Sequence, residues 1–142
     1  MENQNNLNTS FISVDTVIKG DILTNDSIVV EGVVEGVISS QRNVELKSGS
    51  AGGVNASNIN VANCVINGDL KSEDALFIDS NSQIYGNIGA NRVKVQGVVK
   101  GRMEIRDKVE LFSTASVNGD ITASNIAIEE GAELQGKLFI HK

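Results

Sequence analysis

Gly52–Val61 reads GGVNASNINV and Gly119–Ile128 reads GDITASNIAI, and the two align without a gap. With the leading glycine as a marker, the unit recurs at Gly20, Gly36, Gly52, Gly68, Gly86, Gly101, Gly119 and Gly136. The steps are 16, 16, 16, 18, 15, 18 and 17 residues. Apolar columns fall into place around it. Two residues after the marker stand Ile22, Ile38, Val54, Leu70, Ile88, Met103, Ile121 and Leu138. Two residues before it stand Ile18, Val34, Ser50, Ile66, Ile84, Val99, Val117 and Leu134, with Ser50 the one polar break. Further on comes an alternating pair: Ile28/Val30, Val44/Leu46, Ile59/Val61, Leu76/Ile78, Val93/Val95, Val109/Leu111 and Ile126/Ile128. Ile12 and Val14 read as the same pair in a partial first coil.

Alternation with period two over short runs means strand rather than helix. Strands this short cannot bury an apolar face alone, but stacked along an axis the same columns form one continuous core, which is the logic of a solenoid. Three apolar stretches per 15–18 residues describe a triangular coil. The expected fold is an all-β, right-handed parallel β-helix with three parallel sheets and about seven coils. The drift in step length fits the right-handed kind better than the left-handed one, which repeats in strict hexapeptides. Residues 11–142 read as the β-helix domain, and residues 1–10 (MENQNNLNTS), without apolar periodicity, as a disordered polar tail. Composition agrees. Val and Ile dominate the apolar set, aromatics are 4%, Gly is 14 and Pro is 0. Average usage would place about seven prolines in such a chain, and each would delete a ladder hydrogen bond.

The charge balance limits the function. A net charge of −6, with Lys and Arg scattered singly, gives no basic surface for nucleic acid. A single cysteine rules out an internal disulfide framework and suits a reducing cytoplasm. No segment approaches the ~20 apolar residues of a membrane-spanning helix, and no signal peptide is visible. The expected compartment is the cytoplasm.

Individual residues offer little chemistry. Cys64 lies on a strand between apolar neighbours with no base nearby, so it reads as a plain core cysteine. His141 sits beside the last residue and has no cleft to work in. Asp21, Asp69 and Asp120 each follow a marker glycine, but the stacked position also holds Val37, Gly53, Arg102 and Lys137. A calcium ladder needs carboxylates on consecutive coils, so turn residues are the better account. Gly49-Ser50-Ala51-Gly52-Gly53 precedes no helix and lacks the Lys-Ser/Thr of a phosphate loop; it reads as a tight corner. Glu129-Glu130 reads as a solvated turn. No catalytic, cofactor or metal site is expected, and the chain does not read as an enzyme.

The ends are more informative. A β-helix exposes unpaired N–H and C=O groups on both end faces, and monomeric solenoids cover them with a cap. None is visible here, and Leu138-Phe139-Ile140 almost reaches the C-terminus. Uncapped ends imply linear assembly. The alternative is a capped monomeric or dimeric β-helix acting as a protein-binding module.

Several of these motifs resemble the bactofilins. They are the GDI unit with its Ile/Val pair (Gly20–Val30), the doublet VEGVVEG (Val30–Gly36) with its echo VQGVVKG (Val95–Gly101), and the closing run GDITASNIAIEEGAELQGK (Gly119–Lys137). The likeness spans roughly residues 12–140. It implies a right-handed β-helix of three parallel sheets in a bacterial cytoskeletal protein. Such proteins polymerise without nucleotide or other cofactor into non-polar filaments that join like ends, and scaffold cell-wall or shape-determining proteins at the cytoplasmic membrane. It further implies that Ile12, Val14 and Ile18 lie near one polymer interface, and Leu134, Leu138, Phe139 and Ile140 near the other. Three departures stand out. Leu134 replaces a phenylalanine common in relatives. Glu2 and the absence of Lys before Lys19 speak against direct membrane binding through the N-terminus. A basic or Pro-rich C-terminal tail is missing.

Overall fold

A computed structural model describes residues 9–141; residues 1–8 of the expected 1–10 tail and Lys142 lie outside the described residues, and Thr9 and Ser10 belong to the first strand. The chain is a parallel β-helix of eight turns, because every strand pairing is parallel and one face is an unbroken sheet of 8 strands. Each turn visits three faces in the same order. The first face begins with Thr9–Ile12, Ser27–Val30 and Asn43–Leu46 and ends with Asn125–Ile128. The second face runs from Val17–Ile18 through Cys64–Asn67 and Val98–Lys100 to Glu133–Gln135. The third face begins with Ile22–Thr24 and ends with Leu138–Ile140. Between these limits the strands Gly53–Val61, Leu70–Ile78, Ile88–Val95 and Met103–Leu111 run round the corner joining third and first faces. The three expected faces are therefore hydrogen-bonded as two sheets, one of 12 strands and one of 8.

The periodic columns are the core. Ile38, Val54, Leu70, Ile88, Met103 and Ile121 stack in register on the third face, at 0–2% exposure. On the first face Ile28, Val44, Ile59, Leu76, Val93 and Val109 do the same. Two registers differ from the sequence reading. The polar break at Ser50 disappears, because Ala51 rather than Ser50 pairs with Ile66 and fills the inward position. A register slip of one residue swaps the inward and outward sets, and Gly49, with φ +107°, absorbs it. The pair in the first coil is Ser10/Ile12, opposite Ile28/Val30, and Val14 lies in the following turn.

That second difference has the same origin as the uneven step length. The corner between first and second faces has two residues in four turns, at 31–32, 47–48, 62–63 and 96–97. It has four in the others, at 13–16, 79–82, 112–115 and 129–132. Each long corner closes a β-turn, for example by Ser82 N–H donating to the Asp79 carbonyl at 3.1 Å and Ala115 N–H to that of Phe112 at 2.9 Å. Length varies outside the columns, so the core stays aligned.

The marker glycines do more than turn the chain. A β-carbon on Gly52 would sit 2.9 Å from the Gly36 carbonyl oxygen, and on Gly68, Gly86, Gly101, Gly119 and Gly136 it would overlap the preceding marker's carbonyl outright. The aspartates beside them also have a structural task. Asp21 Oδ1 accepts the Val37 N–H (2.9 Å), Asp69 Oδ1 that of Asn87 (2.9 Å) and Asp120 Oδ1 that of Lys137 (3.1 Å), each one turn further on. Replacing Gly68 with Ala should cost about 2–4 kcal/mol through forced separation of two turns. Gly89→Ala should stay within ~1 kcal/mol, since its nearest neighbour is 3.9 Å away. Urea unfolding of both variants checks the contrast.

Candidate functional site

An internal strand has a partner on each side, and the end strands have one. At the N-terminal end these are Thr9–Ile12, Val17–Ile18 and Ile22–Thr24, paired only inwards among the described residues. At the C-terminal end they are Asn125–Ile128, Glu133–Gln135 and Leu138–Ile140. Among the described residues each end therefore presents a triangle of unpaired parallel edges, and such edges are templates for further strands.

Inward side chains of the end layers continue the core columns into solvent. At the C-terminal end, Ile126 and Ile128 lie over Val109 and Leu111, Leu134 over Val117, and Leu138 and Ile140 over Ile121 and Ala123. All five are apolar, and Leu138, Ile128 and Ile140 are 38%, 48% and 52% exposed. At the other end the inward set is Ser10, Ile12, Ile18, Ile22 and Thr24. Three of these are apolar, and Ile12 is only 8% exposed. The C-terminal end is the more apolar and the more open.

The seven residues expected at the ends fall into two groups, one per end. Ile12, Ile18, Leu134, Leu138 and Ile140 point inwards in the end layers. Val14 is exposed in the turn at 13–16, and Phe139 points outwards from the third face over Thr122. The end layers also contain Ile22, Ile126 and Ile128, which the sequence reading left in the core. Their columns were visible, but the end layer is the last strand on each face rather than the last residues of the chain.

The polar candidates are occupied within the ladder. Glu129 Oε1 accepts the Ser113 N–H at 3.1 Å, and His141 donates its backbone N–H to the Ala123 carbonyl. Cys64 points into the core at 2% exposure. Burial pushes its thiol up to about 11, and the thiol donates a hydrogen bond to the Ala62 carbonyl at 3.1 Å. A raised thiol favours the neutral folded form. The stability this confers is complete below the ordinary value of 9.0 and is lost as pH rises towards about 11. Cys64 should therefore resist maleimide at pH 8 in the folded chain and react promptly in urea, which a labelling time course followed by mass spectrometry reads directly.

The sequence pattern of the bactofilin family, described as polymer-forming cytoskeletal, matches residues 49–138. The chain is similar to bactofilin BacO of Myxococcus xanthus (strain DK1622), 30% identical over 73 residues covering 51% of this chain and 58% of BacO. It is similar also to bactofilin BacP of the same strain, 27% identical over 73 residues covering 51% of this chain and 30% of BacP. The aligned stretch spans less than two thirds of either relative. No solved structure matches the chain.

Proposed function

The chain belongs to the bactofilin family, and on that premise we propose that it self-assembles end to end into a cytoskeletal filament. The observation that carries this reading is the pair of end layers whose edges have no second partner among the described residues, each round a continuing apolar core. Magnitudes indicate which part of the contact matters. Fully burying an aliphatic side chain is worth roughly 1.5–3 kcal/mol, so the half-exposed C-terminal set supplies a few kcal/mol. Association itself costs about 4–15 kcal/mol. Apolar burial alone does not hold such a junction; the three strand edges must also pair, at roughly 0.5–1.5 kcal/mol per hydrogen bond.

In this reading assembly needs no nucleotide, because backbone pairing and burial drive it. The filament's sides stay free to hold cell-wall or shape-determining proteins, the partners that the family resemblance implies, in the cytoplasm at the inner face of the membrane. The alternative, a capped rod serving as a binding module, draws on the more covered N-terminal layer.

Leu134→Arg places a charge among the inward C-terminal residues, where an unpaired buried charge costs several kcal/mol. The expected result is a critical concentration raised at least a hundredfold, with the far-UV CD spectrum unchanged. Phe139→Arg, pointing outwards, should have the smaller effect. Negative-stain electron microscopy and sedimentation check both, and filaments that persist in Leu134→Arg would place the junction elsewhere.

A further inference from the structure

The second face differs from the other two sides of the rod. Its outward column is uncharged over the first seven turns, Val17, then Val33, Ser50, Val65, Gln83, Val98 and Ser116 in register, and carries one charge, Glu133, on the eighth. The corresponding column of the third face contains Lys71 and Glu104, and that of the first face Glu45, Lys94 and Glu110. The second face thus carries four outward valines, Val17 on the first turn and three more at two-turn intervals, on turns two, four and six. Val65, on the fourth, is 38% exposed. The neighbouring outward column holds one carboxylate on the second turn, Glu35, and cations on the first and sixth, Lys19 and Lys100.

We infer that the second face is a lateral contact between two copies of this chain, packed face to face with rod axes antiparallel. A two-fold axis along the strand direction at Val65 sets turn n against turn 8 − n. Val65 then meets the partner's Val65, and Val33 meets the partner's Val98. Glu35 stands opposite the partner's Lys100, and by symmetry Lys100 stands opposite the partner's Glu35. An isologous interface requires this self-complementarity of position and charge. Parallel rods related by a two-fold along the rod axis, set midway between the two outward columns, lose it, since the valine column then faces the column of Glu35 and Lys100.

Area decides when the contact matters. Eight strands at ~4.8 Å by three residues at ~3.3 Å give a face of roughly 380 Å², well below the ~800 Å² per partner of a stable pair. Two isolated rods do not stay together through it. Copies held in line repeat the contact along their length and bind by avidity, so the inference rests on the filament reading for its strength, and the contact bundles filaments.

Sedimentation at two speeds separates the two readings: bundles pellet at low speed, single filaments only at high speed. Val65→Lys sets like charges against each other on the two-fold. It should lower the low-speed pellet at least tenfold and leave the high-speed pellet unchanged. Glu35→Lys should do the same, and adding Lys100→Glu should restore bundling. Bundles that survive Val65→Lys, or a double variant that fails to recover, overturn the contact. A second readout does not depend on filaments. At high protein concentration Val65→Cys should cross-link to itself through a short bismaleimide, whereas Ser116→Cys, three turns from the two-fold, should not. Absence of the first cross-link, or presence of the second, overturns the antiparallel register. Loss of all pelleting in the unaltered chain would instead refute the filament reading.

Discussion

The corner where each turn passes a marker glycine is a close approach that recurs between successive turns along the rod. A side chain at Gly68 or Gly86 would occupy the volume of the carbonyl oxygen one turn below. Everything else follows from keeping that corner in phase. It holds the three faces in register, so that Leu70 lies on Val54 and beneath Ile88 with no gap between layers. It also confines variation in chain length to other corners, chiefly the one between first and second faces. Gly20 shows the limit of this explanation. It is the first marker, nothing lies within 4 Å of its missing β-carbon, and only its φ of +138° calls for glycine.

Corners interrupt the ladder and orphan backbone groups that a strand would have paired. This chain satisfies them with short side chains acting one turn away. The carboxylates of Asp21, Asp69 and Asp120 take N–H groups, as does the Asn87 amide oxygen from Arg102 at 3.0 Å. On the corner between third and first faces hydroxyls serve the carbonyls: Ser40 to Asp26 (2.7 Å), Ser57 to Gln41 (2.9 Å) and Ser124 to Arg106 (2.8 Å). Ser82, almost fully buried, accepts the Cys64 N–H at 3.3 Å. A reader looking for metal ligands sees broken clusters of Asp and Ser. Their spacing of about one turn is instead that of a hydrogen-bond relay along the rod.

Period-two alternation and the glycine marker made the coil legible, because both follow from geometry that every turn repeats. What stayed hidden depended on a single corner. Ile12 and Val14 read as the first apolar pair, and only the four-residue corner at 13–16 makes Ile12 its closing member and leaves Val14 in the corner. Ser50 looked like a polar residue in the core until Gly49 shifted the chain by one. The end layers were half legible. Leu134, Leu138 and Ile140 stood out by proximity to the C-terminus, while Ile126 and Ile128 belong to the same layer although a corner and two strands follow them. Phe139 stood out for the same reason, yet alternation turns it to the outside.

The fold also bears on why its ends invite company. In a solenoid each turn is stabilised by its two neighbours, so stability is a sum of intrinsic and nearest-neighbour contributions. The last turn has one neighbour, and its inward isoleucines and leucines are buried on one side only. What a second copy would offer that turn is of the same kind as the chain already offers Ile121 and Leu111: paired strand edges and an apolar layer at the next level. Covalent continuity distinguishes an internal junction from one between molecules, and its loss is the translational and rotational cost of association. In the filament proposed here, polymerisation and folding are one stacking interaction continued across a break in the chain. The Ser10 and Thr24 hydroxyls in the N-terminal layer make that continuation less apolar at one end than at the other.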